Sequence, residues 1–133
     1  MPNIAQVNLV VSDINHSRSF YELLGVSFLG RDRTGNGAPE AWVSQNIGIT
    51  MVLHSTAFAA WWDPSSPQPA RGSTQVDLEF DSREEVDAIL GRLQEQRSTV
   101  VTPAREMPWG QRFTVVADQD GNRVGLKAPR SSS

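Results

Sequence analysis

Residues 4–11 alternate in character. Ala5, Val7, Leu9 and Val11 form a wholly apolar row, whereas Gln6 and Asn8 interrupt the other row. A period of two predicts a strand with one face against helices and the other toward water or a pocket. Ser12-Asp13 then leads into a helix that gathers Phe20, Leu23 and Leu24 on one side, and Gly25 suits a left-handed C-terminal cap. Further strands are predicted over residues 26–33, 41–45 and 48–54, with Thr34-Gly35-Asn36-Gly37 as a turn signal.

The same order then returns. A strand over residues 74–80 runs into Asp81-Ser82. Ser82 with Glu85 three residues on makes a capping box, ahead of an apolar stripe of Val86, Ile89, Leu90 and Leu93. Val100 and Val101 continue a strand toward Arg105, residues 113–117 form another, and Asp120-Gly121 turns the chain into a last strand over 124–128. A duplicated strand–helix–strands unit predicts a pseudo-symmetric shell with a cavity between its strands. The predicted organisation is one domain over 1–133. Module one covers about 1–54, a linker about 55–72, and module two about 73–129. The linker carries Pro64, Pro67 and Pro69, and its Trp61 and Trp62 suggest a segment packed down on the protein.

Composition narrows the function. With 133 residues the chain is long enough for one compact domain. A net charge of −3 with no basic run excludes the electrostatic footprint of a nucleic-acid binder. No apolar run is long enough to span a membrane, and Met1-Pro2-Asn3 lacks the basic flank and apolar segment of a leader. Without cysteine there is no disulfide, thiolate nucleophile or Cys-zinc site, and a cytoplasmic protein is expected. The spacing of a phosphate-cradling glycine loop is absent. Two histidines without a local signature assemble no Ser/His/acid triad.

The first strand with Ser12-Asp13, Ser19-Phe20-Tyr21 and Leu24-Gly25 resembles the opening of the vicinal oxygen chelate superfamily, which includes glyoxalase I, extradiol dioxygenases and bleomycin-resistance proteins. Asp118-Gln119-Asp120-Gly121-Asn122 is similar to the family's Asp-Pro-Asp-Gly-Asn hairpin, with Gln119 in place of proline. Pro108-Trp109-Gly110-Gln111-Arg112-Phe113 resembles its drug-binding members of the bleomycin- or mitomycin-binding type. The resemblance covers nearly the whole chain. It implies an α+β fold of two βαβββ modules forming a curled eight-stranded open sheet, a cup with helices on the outer side. It also implies a homodimer. Enzymes of the family hold a divalent metal in the cup. The resemblance carries the usual first-strand ligand onto Gln6 and its second-module counterpart onto Gln75. The final-strand ligand falls on Gly125, with Thr50 as its first-module counterpart. Two neutral amides, a hydroxyl and a glycine are poor ligands for a catalytic divalent metal, so no metal and no cofactor are expected.

The candidate ligand contacts each have two readings. Gln6 and Gln75, with Asn8 beside the first, are either polar residues on a wet face or amides that bind a ligand at the cup floor. Similar proteins stack a drug on the tryptophan at the position of Trp109, and Trp42 is a candidate for the opposite wall. Thr50 and Gly125 border the same floor. His54 either closes a strand structurally or touches the ligand. Asp77 faces the cup with Glu79, as an acid–base pair or as a partner of Arg123 and Lys127. No catalytic residue is assigned. The leading reading is metal-independent binding and sequestration of a small aromatic compound of antibiotic type. The alternatives are a glyoxalase-like lyase, isomerase or dioxygenase with an atypical metal site, and a structural or regulatory domain with an empty cup.

Overall fold

The computed structural model describes residues 2–32, 37–65 and 75–129. They fall into two units, residues 1–69 and 70–133.

In the first unit, strand β1 (Gln6–Val11) leads through Ser12 to Asp13, whose carboxylate accepts hydrogen bonds from the N–H groups of Asn15 and His16. Those bonds satisfy orphan donors at the start of helix α1 (Ile14–Leu23). Gly25, at φ +101°, ends the turn in the left-handed region as predicted. Strands β2 (Phe28–Arg31), β3 (Ala41–Ser44) and β4 (Thr50–Ser55) follow. They are shorter than the sequence pattern indicates. Gly48, expected inside the last of them, has φ +86° and sits in the preceding turn. Of the predicted turn signal, Thr34, Gly35 and Asn36 lie outside the described residues. The strand order is β1-β4-β3-β2, with β1 and β4 parallel and the remaining pairs antiparallel.

Helix α1 packs on β3 and β4. The sheet's α1-facing side carries the predicted apolar row, with Leu9 and Val11 buried alongside Met51 and Leu53. Trp42 lies on this side too. The Arg18 guanidinium of α1 stands 4.0 Å from its ring centroid, and Arg18 also pairs with Glu22 at 3.2 Å.

The other side holds a correction. The segment after β4, expected to be an irregular linker, begins as helix α2 (Thr56–Trp62). Ser55 caps it by accepting from Phe58 N–H at 3.0 Å. Phe58, Trp61 and Trp62 have the i, i+3, i+4 spacing of one helix face. Phe58 is buried in a cluster with Ala41 and Val52, and Val43 packs against it. The prolines 67 and 69 lie outside the described residues.

The second unit repeats the plan. Strands β5 (Gln75–Glu79), β6 (Thr99–Glu106), β7 (Arg112–Ala117) and β8 (Arg123–Ala128) are ordered β5-β8-β7-β6, with β5 and β8 parallel. The eight strands are thus hydrogen-bonded as two sheets of four, one per unit. Helix α3 (Arg83–Glu95) starts at the predicted cap, where Ser82 Oγ accepts from Glu85 N–H, but the Glu85 carboxylate reaches one residue further back than a capping box requires and accepts from Asp81 N–H. Its Val86, Ile89 and Leu93 are buried, and the helix packs on β8 and β6. Arg112 pairs with Asp87 at 2.7 Å, and Arg83 pairs with Glu106. Such partly exposed pairs are worth at most about 1 kcal/mol each. The apolar stripe, at about 1.5–3 kcal/mol per large buried side chain, is what holds α3. β6 breaks register on either side of Thr102, next to Pro103, which has no N–H to give a ladder. The β7–β8 turn is held by buried Asp118, which accepts from the N–H groups of Asp120 and Asn122 and from Asn122 Nδ2. Gln119 replaces the usual proline without loss of the hairpin, because these bonds supply its rigidity.

Gly30 on β2 pairs with Trp42, and a Cβ there would lie 2.8 Å from Trp42 Cζ3 and 2.9 Å from Pro39 Cγ. Arg18 covers the indole, so the ring has little room to yield. Gly30→Ala is expected to destabilise the protein by about 1–3 kcal/mol in equilibrium chemical denaturation. An unchanged midpoint would show that the indole moves freely.

Candidate functional site

The first unit contains a cavity of about 190 Å³ on the α2 side of its sheet. Strand parity builds it. In the parallel pair, Gln6 stands in register with Thr50, Asn8 with Val52 and Val10 with His54. His54 is in register with Ala41, and Ala41 with Arg31. Gln6, Asn8, Val52, His54 and Arg31 therefore share one face, and all five line the cavity. Phe58 and Trp62 of α2 complete its wall.

The chemistry of this wall is mixed. Gln6 Nε2 donates to Asn8 Oδ1 at 2.7 Å. That bond orients both amides and leaves Asn8 Nδ2 and Gln6 Oε1 for a ligand. His54 is only 7% exposed, with Phe58 edge-on to it at 5.2 Å. Among the described residues no hydrogen bond engages its ring nitrogens. Burial first, and the charge of Arg31 second, hold its pKa below the ordinary imidazole value. His54 is thus a neutral donor–acceptor at pH 7. The lining set carries one cation, Arg31, and no carboxylate.

Of the residues singled out from the sequence, Gln6, Asn8 and His54 come together here. Thr50 lies beside Gln6 on the same face. Trp42 does not join them: it projects to the α1 side under Arg18, so the wall expected from it is formed by Phe58 and Trp62 instead. Arg31 and Phe58 were not foreseen. The helical spacing of Phe58, Trp61 and Trp62 is a signal for the latter. Arg31 is placed by a cross-strand register that no local pattern reveals.

Gln75, Asp77 and Gly125 come together in the second unit. Gln75 Nε2 donates to Asp77 Oδ1 at 3.0 Å, and Lys127 Nζ stands 3.8 Å from Asp77 Oδ2. Asp77 is in register with Gly125, and a Cβ on Gly125 would lie 2.2 Å from Asp77 Oδ1. The Asp77 side chain occupies the space that any larger residue at 125 would need. Trp109 sits on the β6–β7 turn, 64% exposed, with its indole N–H donated to Gln111 Oε1.

The register also corrects one equivalence. Gln6 and Gln75 each precede their helix N-cap by the same interval; Gln6 faces Thr50, whereas Gln75 faces Arg123. Gly125 therefore corresponds to Val52, not Thr50. At both of these positions the residue offers no donor atom. The amides of Gln6 and Gln75 are neutral, Asp77 is engaged by Gln75 and Lys127, and His54 sits within the field of a cation. Among the described residues no three His, Cys, Asp or Glu side chains converge. These residues do not fit a divalent metal.

The chain matches, over residues 3–126, the family model described as Glyoxalase/Bleomycin resistance protein/Dioxygenase superfamily. Among solved structures it is similar to a glyoxalase-related enzyme from Fulvimarina pelagi, with a TM-score of 0.79 at 22% identity over 96% of this chain and 88% of that one. It is similar to TioX from Micromonospora sp. ML1, with a TM-score of 0.68 at 19% identity over 96% and 98% of the two chains. It is likewise similar to the fosfomycin resistance protein FosX from Listeria monocytogenes, with a TM-score of 0.68 at 16% identity over 96% and 93%. At these identities the likeness is one of fold. No curated protein matches the sequence. No helix among the described residues is long and apolar enough to cross a membrane.

The lowered pKa of His54 has a consequence for stability. The unfolded chain binds a proton at this site more readily than the folded protein does. The contribution of His54 is therefore intact above the unfolded value of about 6.5 and is lost as pH falls below it, toward the folded pKa. The thermal midpoint should drop between about pH 7.5 and about pH 5.5, and His54→Gln should make that drop smaller. An equal drop in the variant would remove His54 as its source.

Proposed function

The chain belongs to the glyoxalase/bleomycin resistance protein/dioxygenase superfamily, and from that membership we propose that it binds and sequesters a small aromatic compound of antibiotic type without a metal. The observation that carries this reading is the pairing of donor-free Val52 and Gly125 at equivalent positions with an aromatic-walled cavity beside the first of them. Family enzymes use a metal to polarise their substrate. Here the same floor offers amides, a neutral imidazole and ring faces, which suit holding a ligand rather than activating one. The similarity in fold to a fosfomycin resistance protein supports a protective role. In the second unit, Trp109 is a stacking surface of its own: its indole is exposed and tethered to Gln111, so little ordering accompanies contact with a planar ligand. We also propose that the protein works as a homodimer in the cytoplasm, which sedimentation at micromolar concentration tests: a monomeric mass would contradict it.

Protein dialysed against a chelator should still bind planar aromatic antibiotics, read by quenching of tryptophan fluorescence across a panel of such compounds. Trp62→Ala should weaken the best of them about threefold to tenfold, the worth of one stacking contact. Trp109→Ala should weaken at least one planar compound of the panel while leaving the thermal midpoint unchanged. Binding that is lost on chelation and restored by zinc, nickel, manganese or iron would overturn the metal-free reading.

A further inference from the structure

We infer that the cavity of the first unit selects planar aromatic acids, with the anionic group seated against the Arg31 guanidinium and the ring held by Phe58 and Trp62. This rests on the binding function proposed above and names the ligand class for it.

Three observations converge. The lining carries a cation and no carboxylate, and among the described residues no ion pair engages Arg31. The Arg31 guanidinium is exposed and without a counter-charge beside an aromatic wall, so its planar fork is open to the oxyanion of a ligand that enters. Second, the cavity's amides keep a donor free beside an acceptor. Asn8 Oδ1 is occupied by Gln6 Nε2, which leaves the Asn8 amide N–H groups available to an anionic ligand. Third, Arg31 and His54 flank Ala41 on one face of the sheet, and Phe58 packs on that alanine between them, so a ring held against Phe58 has the cation on its own face. Burial first and the charge of Arg31 second lower the His54 pKa, in keeping with the two side chains' place on one face of the sheet.

The test uses the full chain with 2-naphthoate and its neutral isostere 2-naphthamide, titrated by calorimetry against wild-type protein, Arg31→Gln and Arg31→Lys. Arg31 is exposed on an edge strand, so both variants should keep the wild-type thermal midpoint. The wild type should bind the acid at least about tenfold more tightly than the amide, the worth of a charge-assisted hydrogen bond. Arg31→Gln should abolish that preference while retaining the amide, and Arg31→Lys should keep part of it. Equal affinity for acid and amide in the wild type would overturn the acid selectivity and leave aromatic binding standing. A preference that survives in Arg31→Gln would place the anion elsewhere and overturn the assignment to Arg31. Binding of neither probe would overturn both this inference and the reading on which it rests.

Discussion

The first unit's site depends on one packing contact, that of Phe58 on Ala41 and Val52. Without it, the α2 side of the sheet would be an open surface carrying Gln6, Asn8 and His54 into water. Seating Phe58 converts that surface into a concavity. It draws α2 over the sheet, brings Trp62 to the wall, and buries His54 enough to keep it neutral. Burial of one phenylalanine is worth about 1.5–3 kcal/mol. It is permitted because position 41 is alanine and position 52 is only valine. The small side chains in the middle of the sheet are therefore a precondition for the chemistry at its edges.

The two units share strand order, parallel pairing and helix placement, yet they treat the same positions differently. Val52 in the first unit lets an aromatic ring settle on it. Gly125 in the second leaves room for a carboxylate, which Gln75 and Lys127 then hold. Equivalent positions of the two units thus carry one aromatic-walled cavity and one polar cluster whose carboxylate is held within it. Each offers a single imidazole or a single engaged carboxylate, and among the described residues no three His, Cys, Asp or Glu side chains converge.

Much of this was legible from local pattern. Alternation in β1 put Gln6 and Asn8 on the right face, and the capping residues Asp13 and Ser82 marked both long helices. The Asp118–Asn122 hairpin was recognisable despite Gln119. What escaped depended on contacts distant in sequence. Trp42, an aromatic residue on a strand, is a candidate for the cup by local pattern, but its side of the sheet follows from its register with Gly30 and Leu53, where Arg18 covers it. The proline content near α2 outweighed the helical spacing of Phe58, Trp61 and Trp62, although Pro64 lies just beyond the helix end, where proline is compatible with it. Arg31 has no local mark at all. It becomes a site residue only through two successive strand pairings.

The central claim is that a metal-free cavity formed by β1, β4, β2 and α2 receives an aromatic ligand. It is tested most directly by amide- and indole-detected NMR of chelator-treated protein during titration with 2-naphthoate. The account predicts shifts concentrated at the side-chain amides of Gln6 and Asn8 and the indole of Trp62, with none on adding zinc or nickel alone. Shifts that appear only with the metal, or that leave Gln6, Asn8 and Trp62 unmoved while the ligand binds, would contradict it.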